Sequence, residues 1–134
     1  MSIEALVYGR LTTYSGITAI ASTRTYPMLL QGNNPTLPAI TYQKISNTEQ
    51  KGTSILRDSR WQINCWAKHR ADGGGYSEAH SLAAQVKAAF EDWHDLDQTP
   101  GVNYGRVAGE IDDYDDAALV YRVIVDVILT TTGD

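Results

Sequence analysis

Residues 118–130 constrain the fold more than any other stretch of the chain. Leu119, Tyr121, Val123, Val125, Val127 and Leu129 alternate with Val120, Ile124 and Ile128, and apolar, mostly β-branched residues at period two predict a strand over Ala118 to Thr130. Both of its faces are apolar, so it belongs in the middle of a sheet, covered on each side. Its neighbours are also visible. Trp61, Ile63, Cys65 and Ala67 form one face of a second strand, and Arg60, Gln62, Asn64, Trp66, Lys68 and Arg70 form the other. The first set faces the core and the second the surface, with Trp66 as the one large aromatic on the polar side. Ala39 to Ser46 reads as the strand before it, and polar Asn47 to Leu56, with Gly52, as the tip of a long hairpin. Val102 to Ile111 reads as a strand interrupted by Gly105 and Gly109, which mark bulges or close backbone approach. Asp112 to Asp116 then forms the loop into the final strand.

A sheet of this kind needs helices to cover it. Tyr76, Ala79, Leu82, Ala83, Val86, Ala89, Phe90 and Trp93 recur at steps of three and four, an apolar stripe along a helix roughly 27 Å long. Gly73-Gly74-Gly75 forms a flexible break before it. Ile3, Leu6, Val7 and Leu11 predict a first helix over about residues 3–14, with Ser2 as N-cap and its end at or before Gly16. Arg24 to Met28 is a short extended piece, and Gln31 to Pro38 is a connector dense in turn formers. The expected order is helix, short strand, hairpin, helix, hairpin. That is one α+β domain over residues 1–134, with a mainly antiparallel sheet of about four strands and two helices packed on one face. The opposite face carries Trp66, Val120, Ile124 and Ile128 with no helix left to cover it, so a surface outside the monomer is expected there.

Composition narrows the class. The chain has 134 residues, 43% hydrophobic and 20% charged, the profile of one soluble globular domain. Asp126 interrupts the longest apolar run well short of the ~18 residues a membrane span needs. The opening MSIEALVYGR carries Glu4 and lacks a secretory pattern. The lone cysteine, Cys65, excludes an intramolecular disulfide and suits a reducing cytosol. The net charge is -5, opposite in sign to the footprint of a nucleic-acid binder. It is unevenly spread: residues 1–90 hold nine basic and five acidic side chains, whereas residues 91–134 hold two and eleven. Such asymmetry suits complementary contact surfaces.

Catalytic chemistry finds little support. His69, His80 and His94 fall in three different elements, and Cys65 and His69 lie about 13 Å apart along one strand, too far to share a zinc ion unaided. Ser59 and Ser77 lack a nucleophile elbow. The glycine run lacks the lysine of a phosphate loop and follows Asp72. Asp112, Asp113, Asp115 and Asp116 lack the spacing of a calcium loop and read as a solvated turn. No catalytic residue, cofactor or metal is expected.

The chain resembles the phage tail completion proteins, small head–tail joining proteins of long-tailed phages. The likeness lies in Ala5-Leu6-Val7-Tyr8-Gly9-Arg10-Leu11 followed by Gly16-Ile17, and in Arg24-Thr25-Tyr26-Pro27. It continues through the Pro35-x-Leu37-Pro38-Ala39-Ile40-Thr41-Tyr42 lead into a strand, Trp61-Gln62-Ile63-Asn64-Cys65-Trp66-Ala67, and the small-residue helix from Tyr76 to Phe90. It covers residues 3 to about 130; the triple glycine and the acidic loop depart from it and inherit no role. The resemblance implies a virion structural protein without cofactor or catalysis, a homo-oligomeric ring expected to have six subunits. It would cap the tail tube and join it to the head connector or adaptor proteins, DNA passing through without sequence-specific contact and no membrane involved. Assembly would take place in the bacterial host cytoplasm. The expected subunit interface sets basic Arg57, Arg60, Lys68 and Arg70 against acidic Asp112, Asp113, Asp115 and Asp116, with Trp66, Ile124 and Ile128 as its apolar part. The alternatives are a cytosolic α+β ligand-binding or regulatory module whose apolar sheet face forms a cleft, and a hydrolase using the 112–116 carboxylates.

Overall fold

Ser2 starts the first helix by accepting a hydrogen bond from the Ala5 N–H at 3.1 Å, a side-chain N-cap on α1 (Ile3–Thr13). The computed structural model describes residues 2–30, 35–50, 56–97 and 100–132. The expected connector at 31–38 and hairpin tip at 47–56 therefore lie partly outside the described residues. The further elements are α2 (Ser15–Ala21), β1 (Thr25–Pro27), β2 (Ala39–Glu49), β3 (Leu56–Lys68), α3 (Gly74–Phe90), β4 (Gly101–Asp115) and β5 (Val120–Thr132).

The class is α+β, but the details differ from expectation. The sheet is mixed and has five strands in the order β1-β2-β3-β5-β4, with β1 parallel to β2 and the remaining pairs antiparallel. Among the described residues there are three helices rather than two. Tyr14 breaks the first helix with an extended backbone (φ -68°, ψ 119°), and its carbonyl then accepts from the Ile17 and Thr18 N–H groups to start α2. The first helix thus closes before Gly16, as read, and Gly16 itself lies inside the second. β2 runs to Glu49, so residues 47–49 of the expected hairpin tip are strand. β4 runs on through Asp115, so most of the expected acidic loop is strand.

The core lies between the helices and one face of the sheet. Trp61, Ile63, Cys65 and Ala67 from β3 join Val123, Val125, Val127 and Leu129 from β5. Against them pack Leu82, Val86, Ala89 and Phe90 of α3, Val7 and Leu11 of α1, and Ile17 of α2. The period-two and period-3.6 patterns meet there, except that Tyr76 and Leu119, both read on core faces, are exposed, and Trp93 follows the end of α3. β5 is flanked by β3 and β4 as its sequence demands, yet among the described residues no element covers its second face.

Candidate assembly surface

That second face gathers part of the expected interface. Strand register puts Arg60, Trp66, Lys68, Asp113, Asp115, Ile124 and Ile128 on the side away from the helices. Arg57 falls on the opposite side of the pleat, Arg70 follows the end of β3, Asp112 points its carboxylate at α3, and Asp116 sits in the turn.

The face is a polar lattice with apolar gaps rather than a bare hydrophobic patch. Trp66 Nε1 and Asn64 Nδ2 both donate to Thr41 Oγ1, at 2.9 and 3.2 Å. The Arg122 guanidinium lies 5.2 Å from the Trp66 ring centroid and donates through Nε to Asp113 at 3.1 Å. Arg60 pairs with Asp126 at 3.1 Å. Ile124 and Ile128 are half-buried between these groups. At one end of the face, Met28, Leu29, Leu37, Trp66, Lys68 and Val120 line an open cleft of about 520 Å³, the place a small-molecule ligand would require.

Most of the expected interface charges have partners within the monomer. Arg57 pairs with Glu49 at 3.2 Å, and Arg70 lies 3.5 Å from Glu78 and 3.7 Å from Asp72. Asp115 accepts from the Ala117 and Ala118 N–H groups and closes the β4–β5 turn. The acidic cluster is divided by the pleat. Asp112 accepts from the Tyr76 hydroxyl at 2.8 Å and lies 2.9 Å from His80 Nε2, whereas Asp113 faces Arg122 on the other side. Glu110 adds a link to Lys87 of α3 at 2.9 Å. Together these contacts clip the distal half of β4 to α3.

The same contacts set the pH response. The hydrogen bond from Tyr76 holds the Asp112 carboxyl below the ordinary carboxylate range, and Arg122 does the same for Asp113. A depressed folded-state pKa contributes stability above the unfolded value of about 3.9, and that contribution is lost as pH falls through the lower folded value. Asp113→Asn is therefore expected to melt below wild type at about pH 6 and to converge with it toward about pH 2. Thermal melts across that range check this, and a gap of constant size would contradict it.

Chemistry-bearing groups stay apart. Among the described residues no three His, Cys, Asp or Glu side chains approach closely enough to hold a metal ion. Cys65 is fully buried, and burial pushes its thiol pKa up. Gly73 takes a left-handed φ of +80°, and the Asp72 carboxylate accepts from the Gly74 N–H at 2.8 Å. That carboxylate occupies the place a phosphate would take at the start of α3.

Strand edges are a feature that sequence patterning did not mark. β1 covers β2 only along residues 40–42. The segment 92–95 covers β4 only along its first half, through Asp95 with Val102 and through Gly105 with Asp92 and Trp93. The remaining half of each outer edge is open among the described residues.

A chain with the same fold is also found in a virion. A chain of "Virion of native gene transfer agent (GTA) particle" superposes with a TM-score of 0.64 at 16% identity, covering 98% of this chain and 96% of that one. No curated protein matches the sequence. The family model for tail completion protein gp17 matches residues 5–132, so the chain belongs to the tail completion protein gp17 family, and its role is a structural one in a phage tail.

Proposed function

We propose that this chain forms a homo-oligomeric ring of six subunits at the head–tail junction, capping the tail tube and joining it to the head connector or adaptor proteins. The observation that carries this reading is the family match over nearly the whole chain. Three features support it. Open edges on both sides of one sheet suit a contact between two different surfaces of the same chain, which is what a ring needs. A net charge of -5 suits a channel that DNA crosses without being held. The helix-free face offers Arg60, Trp66, Lys68, Asp113, Asp115, Ile124 and Ile128 to a neighbouring virion protein, with Arg57, Arg70, Asp112 and Asp116 around its margin. Trp66 and the isoleucines would supply most of the affinity there, since an exposed ion pair is worth only ~0–1 kcal/mol.

The experiment is depletion and add-back. Particles made without this chain should appear by electron microscopy as DNA-filled heads and separate tails. The purified chain should restore joined particles, with label at the junction and a native mass of six copies on isolated tails. Joined, infective particles in its absence, or label at the far end of the tail, would sink the reading.

A further inference from the structure

We propose that successive copies join edge to edge, the open half of β4 in one copy pairing with the open half of β2 in the next, so that the sheet continues from subunit to subunit. The proposal deepens the ring reading and rests on it. Its first support is the direction of the backbone groups. Val102, Gly105 and Val107 point theirs away from β5, since they bond Asp95, Asp92, Trp93 and the Glu91 carboxylate. Alternation carried through the bulge between Val107 and Gly109 turns the N–H and C=O of Glu110 and Asp112 outward in the same way. On the other edge, Ile40 and Tyr42 bond Arg24 and Met28. Beyond the bulge between Lys44 and Ser46, Asn47 and Glu49 point outward. None of these four has an outward backbone partner among the described residues. The side-chain Oδ1 of Asn47 is enclosed and likewise finds no donor among them.

The second support is stagger. Register along β3 and β5 sets the open half of β2 level with the covered half of β4, and the reverse. Joining the open halves shifts each copy by about seven residues, roughly 23 Å, for every four strands, roughly 19 Å, because the incoming β4 continues the column that β1 begins beside β2. That slope is a strand tilt of roughly 50°, a little steeper than the ~35–45° typical of closed sheets. The same shift brings the exposed Leu119 at the β4–β5 turn toward the exposed Met28 and Leu29 after β1, and it lays Ile111 along the edge that carries Ile45.

The third support is charge. Glu110, Asp112, Asp113 and Asp115 make the β4 edge acidic, so two copies of β4 repel. The β2 edge is close to neutral, since Lys44 pairs with Glu4 and Glu49 with Arg57, so it repels β4 less than a second β4 does. The contact therefore joins unlike edges, which gives it a direction.

Proline substitution tests this, because Asn47→Pro and Glu110→Pro each remove an N–H that no strand of the chain itself uses. Each variant, checked by circular dichroism and melting, should stay monomeric under conditions in which wild type forms rings. Asn47→Ala and Glu110→Ala, which keep the N–H, should assemble. The decisive arm mixes the two proline variants. Each retains one intact edge, so together they should give a one-to-one dimer and nothing larger by native mass spectrometry. Rings from either folded proline variant, or no dimer from the mixture, overturn edge pairing while leaving the ring reading intact. A wild type that forms no ring, alone or on tail tubes, overturns the ring reading and this proposal with it. Should proline unfold the chain, the double variant Ile45→Cys with Ile111→Cys decides. A bismaleimide should join it into a ladder of oligomers that neither single variant gives, and no ladder counts against the contact.

Discussion

Trp61→Ala is expected to destabilise the chain by about 3–5 kcal/mol, the usual range for deleting a buried aromatic side chain. Trp61 is 1% exposed, near the centre of the face on which the helices pack. Its ring lies 6.3 Å from that of Tyr42, and its Nε1 donates to Ser59 Oγ at 2.9 Å. Alanine leaves a cavity and also strips a fully buried hydroxyl of its donor. A domain of this size has about 5–15 kcal/mol in all, so the variant should lie near the edge of folding. Trp61→Phe separates the two effects. It fills most of the volume, so its loss should be smaller and should come mainly from the stranded Ser59. Urea midpoints at constant m-value give both numbers. An alanine variant within about 1 kcal/mol of wild type would mean that the core can collapse around the gap.

How much of this fold can be read from the chain depends on how far apart the cooperating residues lie. The β3 and β5 strands and helix α3 are legible because each carries its own periodicity, and periodicity survives without knowledge of the partner. Gly105 and Gly109 are legible as irregular points, and the structure gives them different reasons: a close backbone approach at Gly105 and a bulge at Gly109. β1 is not legible as part of the sheet. It is three residues long, and its pairing with β2 is a contact across the connector. α2 is hidden by Gly16 and by β-branched Ile17 and Thr18, residues that argue against a helix locally and are overruled by packing. Asp112 to Asp115 read as a turn for the same reason. Tyr76, His80 and Arg122 hold them in strand conformation, and no local pattern reveals those partners.

Charges tell a similar story. The sequence shows opposite signs in different parts of the chain and suggests two patches. In three dimensions Arg60 meets Asp126, sixty-six positions away, and Arg122 meets Asp113 across a strand pair. Most of those charges are thereby partnered within the monomer, which leaves less of them for a neighbour than spacing alone suggests. Open strand edges leave no trace in composition, because an edge is defined by what fails to pair with it.

Gly105 is where fold and assembly meet, and its substitution should have the second-largest effect. An added Cβ would lie 2.5 Å from the Phe90 carbonyl oxygen and 3.1 Å from Leu129 Cδ2. The first neighbour is backbone at the end of α3 and cannot rotate away. Gly105 cannot move either, since its N–H donates to Trp93 at 2.8 Å and its C=O accepts from Asp92 at 3.0 Å. Gly105→Ala should therefore destabilise by about 1–3 kcal/mol, as overpacking does, and Gly105→Val by more. Gly109 is the control, because a Cβ there meets nothing within 4 Å. Gly109→Ala should stay within about 0.5 kcal/mol of wild type. The distinctive consequence of Gly105→Val lies at the edge. Pushing segment 92–95 off β4 exposes its first half, so the whole strand becomes available for pairing. The variant should lose the single staggered register and associate into irregular, polydisperse species by light scattering, while a variant destabilised only in the core, such as Trp61→Phe, should not. Equal polydispersity in both at matched stability would mean that loss of folding, and not the uncovered edge, drives the association.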